Sequence, residues 1–432
     1  MPLLTPTSFH PPFPPGLLYT NGRGGAGQLG HSTVTPNDQP NCALPSPVTL
    51  PATVASISLG SGQSASVLAA LSDGRVFVWG NNYKSRLGFP INQSRLRPTH
   101  LPTPEPIIQV AAGSHHSTLL TANGAVLSVG NGDPTIRPVP DLPNGEILSN
   151  VVYIDCEATI SGAVTLAGSL YMWGKSSYLT VTSSPTLIAT AVATVSIGSM
   201  YAGYVSTAGE LYTWGYGGHG NLGHDNLKSY TRPKVVDFFT SSGVNDVIKV
   251  AMVSCTRGQE GMKGGVNPRG SGCEGPHTNV LSSAGLLYTF GTAHKGLLLN
   301  LSKKTGAFNG GFDQSKPYRV GDEVSNERVR GHVDYDHKGP FIFTVSAHIH
   351  GGVVAEDGSA YAWGCGSNDG RCGVVKFLTG LHGGIDRMKC YLMGLERVGI
   401  DEGETWKENE GLQGKEVMRC ASGRNTMAWI VK

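Results

Sequence analysis

Residues 206–224 read Ser206-Thr-Ala-Gly-Glu-Leu-Tyr-Thr-Trp-Gly-Tyr-Gly-Gly-His-Gly-Asn-Leu-Gly-His224. A turn at Ala208-Gly209 leads into five residues, Glu210 to Trp214, and then into a glycine loop that ends in Leu222-Gly223. Leu211 and Thr213 fall on one side of the five and Tyr212 and Trp214 on the other, which is the period of two of a β-strand. Both sides carry bulk, as a strand packed between neighbouring sheets requires.

The same glycine-bracketed segment recurs as Gly16-Leu-Leu-Tyr-Thr-Asn-Gly22, Gly74-Arg-Val-Phe-Val-Trp-Gly80, Gly124-Ala-Val-Leu-Ser-Val-Gly130, Gly168-Ser-Leu-Tyr-Met-Trp-Gly174, Gly285-Leu-Leu-Tyr-Thr-Phe-Gly291 and Gly358-Ser-Ala-Tyr-Ala-Trp-Gly364. With the copy at Gly209 to Gly215 that makes seven, each with its glycines six positions apart, room for one short strand. Upstream of each copy from the second onward lies another apolar segment, for example Val54 to Leu59 or Ile107 to Ala112. A second strand follows, such as Ser117 to Thr121, and then a tight hairpin. Asp73-Gly74, Asn123-Gly124 and Asp357-Gly358 supply the positive φ angles that such hairpins need. The glycine loop after the motif strand is expected to carry the chain across to the next unit.

The two ends complement each other. Val417 to Val431 supplies two strands and stops, whereas the chain's first motif strand, at Gly16, has nothing to pair with before it. Together they complete one unit, closing a ring without a bare sheet edge. The fold expected is therefore all-β: a seven-bladed propeller of four-stranded blades spanning 16–432, after a proline-punctuated extended lead-in over 1–15. Long insertions are expected near 256–276, 301–339 and 365–415, the last ending in the acidic stretch Asp401 to Glu410. The motif positions that hold this frame are Gly22, Trp79, Gly80, Gly130, Trp173, Gly174, Trp214, Gly215, Gly291, Trp363 and Gly364.

Composition agrees with a turn-dense β protein: 60 glycines and 26 prolines in 432 residues, with 15% charged. A net charge of +2 is far from the basic excess of a dedicated nucleic-acid or acidic-membrane binder. The first cation is Arg23, so the start resembles neither a secretory signal nor a transit peptide, and no apolar run is long enough to span a bilayer. The eight cysteines are scattered and read as free thiols in a reducing compartment. These features point to an intracellular protein, cytoplasmic in the first instance, with nucleus and organelle left open.

At the residue level the chain resembles the repeat of the regulator of chromosome condensation. That family's seven-bladed propellers also occur in giant ubiquitin ligases and in a plant ultraviolet photoreceptor. The marks are a Trp-Gly strand end followed by Gly-x-x-Gly-x-Leu-Gly, seen in Gly22 to Gly30 and Gly215 to Gly223, and a Gly-x-x-His-Thr-like second strand at Gly113 to Ser117 and His277-Thr278. Gly130 to Pro134 and Gly174 to Ser177 lack the Leu-Gly ending. The resemblance implies a propeller closed by both termini and two functions: interaction scaffolding, or nucleotide exchange on a small Ran-like GTPase as in the founding member. That member uses a β-wedge after the third motif strand and a basic tail. Here Gly130 to Pro138 is short and residues 1–16 hold no Lys or Arg, which favours the scaffold. The photoreceptor's Gly-Trp-Arg-His-Thr element is missing.

Other motifs have structural explanations. Gly22-x-Gly24-x-x-Gly27 and Gly215-x-Gly217-x-x-Gly220 match a dinucleotide fingerprint, but no helix start follows either, so no cofactor is expected. His348-x-His350 and His115-His116 fall short of the three or four ligands of a metal site. No catalytic acid pair or nucleophile elbow is present. Lys84, Arg86, Arg95 and Arg97 form a modest basic cluster, read as a solvated loop. The candidate contacts for a protein partner or multi-protein complex are His116, His277, His348, His350, Arg257, Lys263, Arg269 and Trp406.

Overall fold

The computed structural model describes residues 15–31, 42–61, 65–90, 93–240, 247–257, 275–292, 314–320, 340–347, 350–364, 392–397, 412, 415–422 and 426–432. They form seven antiparallel sheets of four strands each. Every blade runs from an innermost strand at the axis to an outer edge. In the blade of the quoted stretch the order is Val192–Ile197, Tyr201–Ser206, Leu211–Gly215 and Tyr230–Val235. Facing sheets bury a continuous apolar layer. Ile160, Ile197 and Trp214 pack in one inter-blade cluster, and Leu222, Val253 and Phe290 in the next.

The ring closes where the ends meet. Leu17–Gly22 pairs with Thr426–Val431 through six consecutive residues, from Leu17 opposite Val431 to Gly22 opposite Thr426. Cys42–Val48 flanks it outside and Val417–Ser422 inside. Asn21 occupies the station that holds tryptophan in four other motif strands, and Trp429 on the neighbouring strand donates its Nε1–H to Asn21 Oδ1 at 2.6 Å. The aromatic anchor has moved one strand across.

The motif glycines are required twice over. Gly215 has φ 107°, and a Cβ there would stand 2.5 Å from the Tyr201 Cα of the paired strand. The Leu-Gly ending serves the neighbouring blade. A Cβ on Gly30 would lie 2.9 Å from Trp79 Nε1, and one on Gly223 would lie 2.9 Å from Phe290 Cε2. Leu29 and Leu222 are buried beside them, and Trp79 Nε1–H donates to Gln28 O at 3.1 Å. Each intact loop thus docks on the motif-strand aromatic of the following blade. A hydroxyl latch holds both loops in the same way: Thr20 Oγ1 donates to Leu29 O at 2.7 Å and meets His31 at 3.0 Å. Thr213 likewise bonds Leu222 O at 2.6 Å and His224 at 3.0 Å.

Three expectations need correction. The glycine loop does not lead straight to the next unit; it delivers the chain to the outer strand of its own blade. Several outer strands carry proline (Pro45, Pro47, Pro98, Pro134, Pro233, Pro317), tolerated at a sheet edge and a disguise in the sequence. Two outer strands, Gln314–Arg319 and Leu392–Arg397, fall inside 301–339 and 365–415, so those stretches are not wholly insertion. Finally, Arg86 is not solvated. It is buried, donating Nε–H to Asn81 O at 3.0 Å and Nη1–H to Ser114 O at 2.6 Å, while Arg95 lies 4.0 Å above the Phe89 ring. Its loop, Asn81 to Gly88, is a third copy of the Leu-Gly loop. Ser85 (φ 58°) stands where Gly27 (φ 81°) and Gly220 (φ 73°) stand in the others.

Candidate functional site

The innermost strands surround an axial cavity of about 520 Å³. Each blade whose register is described has a one-residue slip near the start of that strand, and the first residue after it points to the lumen. These residues form one ring: Ser56, Gln109, Tyr153, Thr194, Met252, Phe343 and Arg419. Two residues further on is a second ring of smaller side chains: Ser58, Ala111, Asp155, Ser196, Ser254, Val345 and Ala421.

These rings stitch the blades together. In the second ring, the backbone N–H of Ala112 donates to Ser58 Oγ at 3.0 Å, that of Ile197 to Asp155 Oδ2 at 2.8 Å, that of Cys255 to Ser196 Oγ at 2.9 Å and that of Ser346 to Ser254 Oγ at 2.8 Å. Each bond crosses to the next blade. The first ring repeats the device one layer away, with Val110 N–H to Ser56 Oγ at 3.2 Å and a two-way bond between the Gln109 amide and Ile154 backbone, 3.0 Å each. Backbone groups at the lumen that no sheet partner reaches are satisfied this way. Asp155 alone in these positions is a carboxylate, and the guanidinium of Arg257 forms an ion pair with its other oxygen. Burial raises the Asp155 carboxyl and Arg257 opposes that rise.

Antiparallel order sends the turns between first and second strands, and the loops between third and outer strands, to the same face. His116, His277 and His350 begin three second strands there, each opposite a motif glycine: Gly130, Gly291 and Gly364. All three rings are buried, at 3%, 0% and 0% exposure. His116 Nε2 lies 2.6 Å from Ser161 Oγ of the adjacent blade, and burial pushes its pKa down to about 4. His277 Nδ1 lies 3.1 Å from Thr256 Oγ1. They sit beneath the turns of this face and not upon it. A spacing gives them away: each precedes its motif glycine by 14 residues (130 − 116, 291 − 277, 364 − 350). Arg257 ends at the same face with 18% of its side chain exposed. His348, Lys263, Arg269 and Trp406 lie outside the described residues.

Side chains that the sequence did not assign to a partner reach the surface of this face. Tyr83, half exposed, meets His115 of the neighbouring blade at 5.6 Å between ring centroids. Tyr178 meets Tyr216 at 5.1 Å across the next blade boundary but one, and Tyr216 meets His219 at 5.9 Å. Lys84 and Lys175 are exposed beside them. Among the described residues no group of three or more His, Cys, Asp or Glu is placed to hold a metal ion, and no helix is long and apolar enough to cross a membrane.

Four-stranded blades, ring closure by both ends and Leu-Gly loops docked on the next blade's aromatic define a class: the chain is a seven-bladed β-propeller, and it carries stretches similar to the regulator of chromosome condensation (RCC1) repeat. The model of that repeat matches residues 15–67, 73–120 and 208–258. The chain is 33% identical over 173 residues to the Arabidopsis thaliana RCC1 domain-containing protein RUG3, mitochondrial, the match covering 37% of this chain and 38% of that one. Over 180 residues it is 31% identical to the Homo sapiens E3 ubiquitin-protein ligase HERC2, covering 38% of this chain and 4% of the ligase. The chain thus spans well under half of these relatives. Among solved structures, Prp20p from Saccharomyces cerevisiae superposes with a TM-score of 0.72 at 17% identity, covering 96% of this chain and 91% of that one.

Proposed function

We propose that this protein is a non-catalytic interaction scaffold, an adaptor or subunit of a larger assembly, that binds a protein partner on the face carrying the glycine loops. The observation that carries this is the surface placement of Tyr83 with His115, and of Tyr178 with Tyr216 and His219, on rigid turns of adjacent blades. Aromatic side chains on a preorganised frame are the usual anchors of protein interfaces. The buried His116, His277 and His350 support the turns from below. Lys263, Arg269, His348 and Trp406 are retained as candidate contacts for such a partner on their sequence alone.

The test is proximity labelling of the full chain in cells, compared with Tyr83→Ala/Tyr216→Ala. Partners lost from the double variant, with unchanged melting, support the reading; an unchanged set refutes it. The plant relative's name makes mitochondria a compartment to include.

The alternative is nucleotide exchange on a Ran-like GTPase, since yeast Prp20p, which shares the fold, is described with binding properties to Gsp1p and histones. Against it, the stretch after Gly130 goes directly into the outer strand Asp133–Pro138, paired back through Asp133 to Gly130 and Arg137 to Ser128. Accelerated release of labelled GDP from a Ran-type GTPase by the purified protein would reverse the preference.

A further inference from the structure

We infer that the outer strand Thr186–Ala189 is a docking edge for an extended, uncharged segment of a partner protein, which adds to that blade as a fifth strand. The strand ends its sheet, outside Leu170–Gly174, and among the described residues no strand pairs with its outer side. Such an edge presents backbone N–H and C=O groups that another extended backbone matches. The other six outer strands are defended. Cys42–Val48, Arg95–Leu101, Asp133–Pro138, Tyr230–Val235 and Gln314–Arg319 each contain proline, which withholds a donor, and Leu392–Arg397 ends in Glu396-Arg397. Thr186-Leu-Ile-Ala189 has neither proline nor charge. It lies within Ser176 to Gly209, a stretch without Lys, Arg, Asp, Glu or His. Register slips do not set it apart, because all seven outer strands have one.

Four residues of backbone pairing hold a partner weakly, and the side chains beside the edge supply the rest. Leu187 is 51% exposed and stands opposite Tyr171, which packs with Val139 and Leu142 against one inter-blade cluster. Ile188 and Val181, both half-buried, pack against the cluster on the other side of the sheet. An incoming strand therefore meets apolar surface on both faces and no countercharge on the strand it joins. That selects a segment rich in Val, Ile and Thr, residues that also favour extended backbone. A second copy of the chain meeting edge to edge would share only these four residues, a contact too small for the roughly 800 Å² per partner of a stable complex. The edge is on the circumference of the ring and independent of the glycine-loop face.

Fluorescence polarisation of the full chain with a labelled, end-blocked peptide Thr-Val-Thr-Val-Thr-Val tests this. Saturable binding is expected. Leu187→Lys should weaken it about tenfold or more, as should replacing the peptide's central Thr by Pro, whereas Leu227→Lys, an exposed leucine elsewhere, should have no effect. Absence of saturable binding, or equal affinity in Leu187→Lys, overturns the inference. A wild-type dimer that Leu187→Lys dissociates also overturns it, by giving the edge to a second copy. Should Leu187→Lys fail to fold, hydrogen exchange of the wild type decides: the peptide must slow exchange in 186–189 and not in the proline-bearing 230–235, and equal rates overturn the inference.

Discussion

Asp155 and Arg257 form an ion pair although their strands belong to blades separated by a third, and Asp155 at the same time accepts the Ile197 amide of the blade between them. Three sheets are tied by one carboxylate. At the equivalent station Ser58, Ser196 and Ser254 perform the amide bond without a charge. Arg257→Met should therefore cost about 3 to 5 kcal/mol, because it leaves Asp155 buried and uncompensated. Adding Asp155→Ser should recover most of that. Urea unfolding of both variants checks it, and a double variant as unstable as the single one would refute the pairing argument.

Acidification should weaken the fold between pH 6.5 and about 4. Burial depresses His116 to about 4, so across that window the unfolded chain binds a proton that the folded chain refuses. Stability then rises with pH, fully present above 6.5 and lost on the way down to 4, a swing of about 3 kcal/mol from this group. His31 and His224 are lowered by burial too and act with the same sign. Asp155, raised by burial, acts with the opposite sign above the usual carboxylate pKa. Denaturation midpoints at pH 7 and pH 5 should differ, and by less in His116→Gln.

Gly223→Ala should destabilise by about 1 to 3 kcal/mol, from a left-handed φ of 74° and from the Phe290 ring 2.9 Å from the new methyl. Combining it with Phe290→Leu removes the clash and not the backbone strain. The second substitution should therefore cost less on the alanine background than alone, as a thermal-melt cycle would show.

Ser85→Gly is expected to stabilise by about 1 kcal/mol. A serine held at φ 58° pays for a conformation that glycine adopts freely in the matching loops. A drop in melting temperature would mean that the serine side chain compensates.

Removing residues 426–432 strips the partner from Leu17–Gly22 and bares edges on both sides of the gap. Light scattering should show association and the melting transition should fall. A monomer with the parent's transition would exclude ring closure as a source of stability.

The motif strands were legible because each places two demands on the same few residues: a glycine that no side chain can replace, and an aromatic for the neighbouring loop. Outer strands such as Arg95–Leu101 and Gln314–Arg319 escape notice because an exposed edge tolerates Pro98, Pro317 and unpatterned polar side chains. The third Leu-Gly loop was hidden by Ser85, a residue accepted at a strained angle. The lumen rings were hidden for another reason. The slip after the first residue of each innermost strand resets the alternation, so inward and outward positions follow from paired register and not from the strand's own sequence. Tyr178 and Tyr216 lie 38 residues apart, and only the ring brings them into contact.

The pairing of Leu17–Gly22 with Thr426–Val431 sets an order of events during synthesis. Leu17–Gly22 is synthesised about 400 residues before the strand it pairs with, so the other six blades can assemble while this one is held open. A chaperone acting during that wait would meet one specific exposed strand, and a nascent chain stalled short of residue 426 would carry the same exposed edge as the truncated variant.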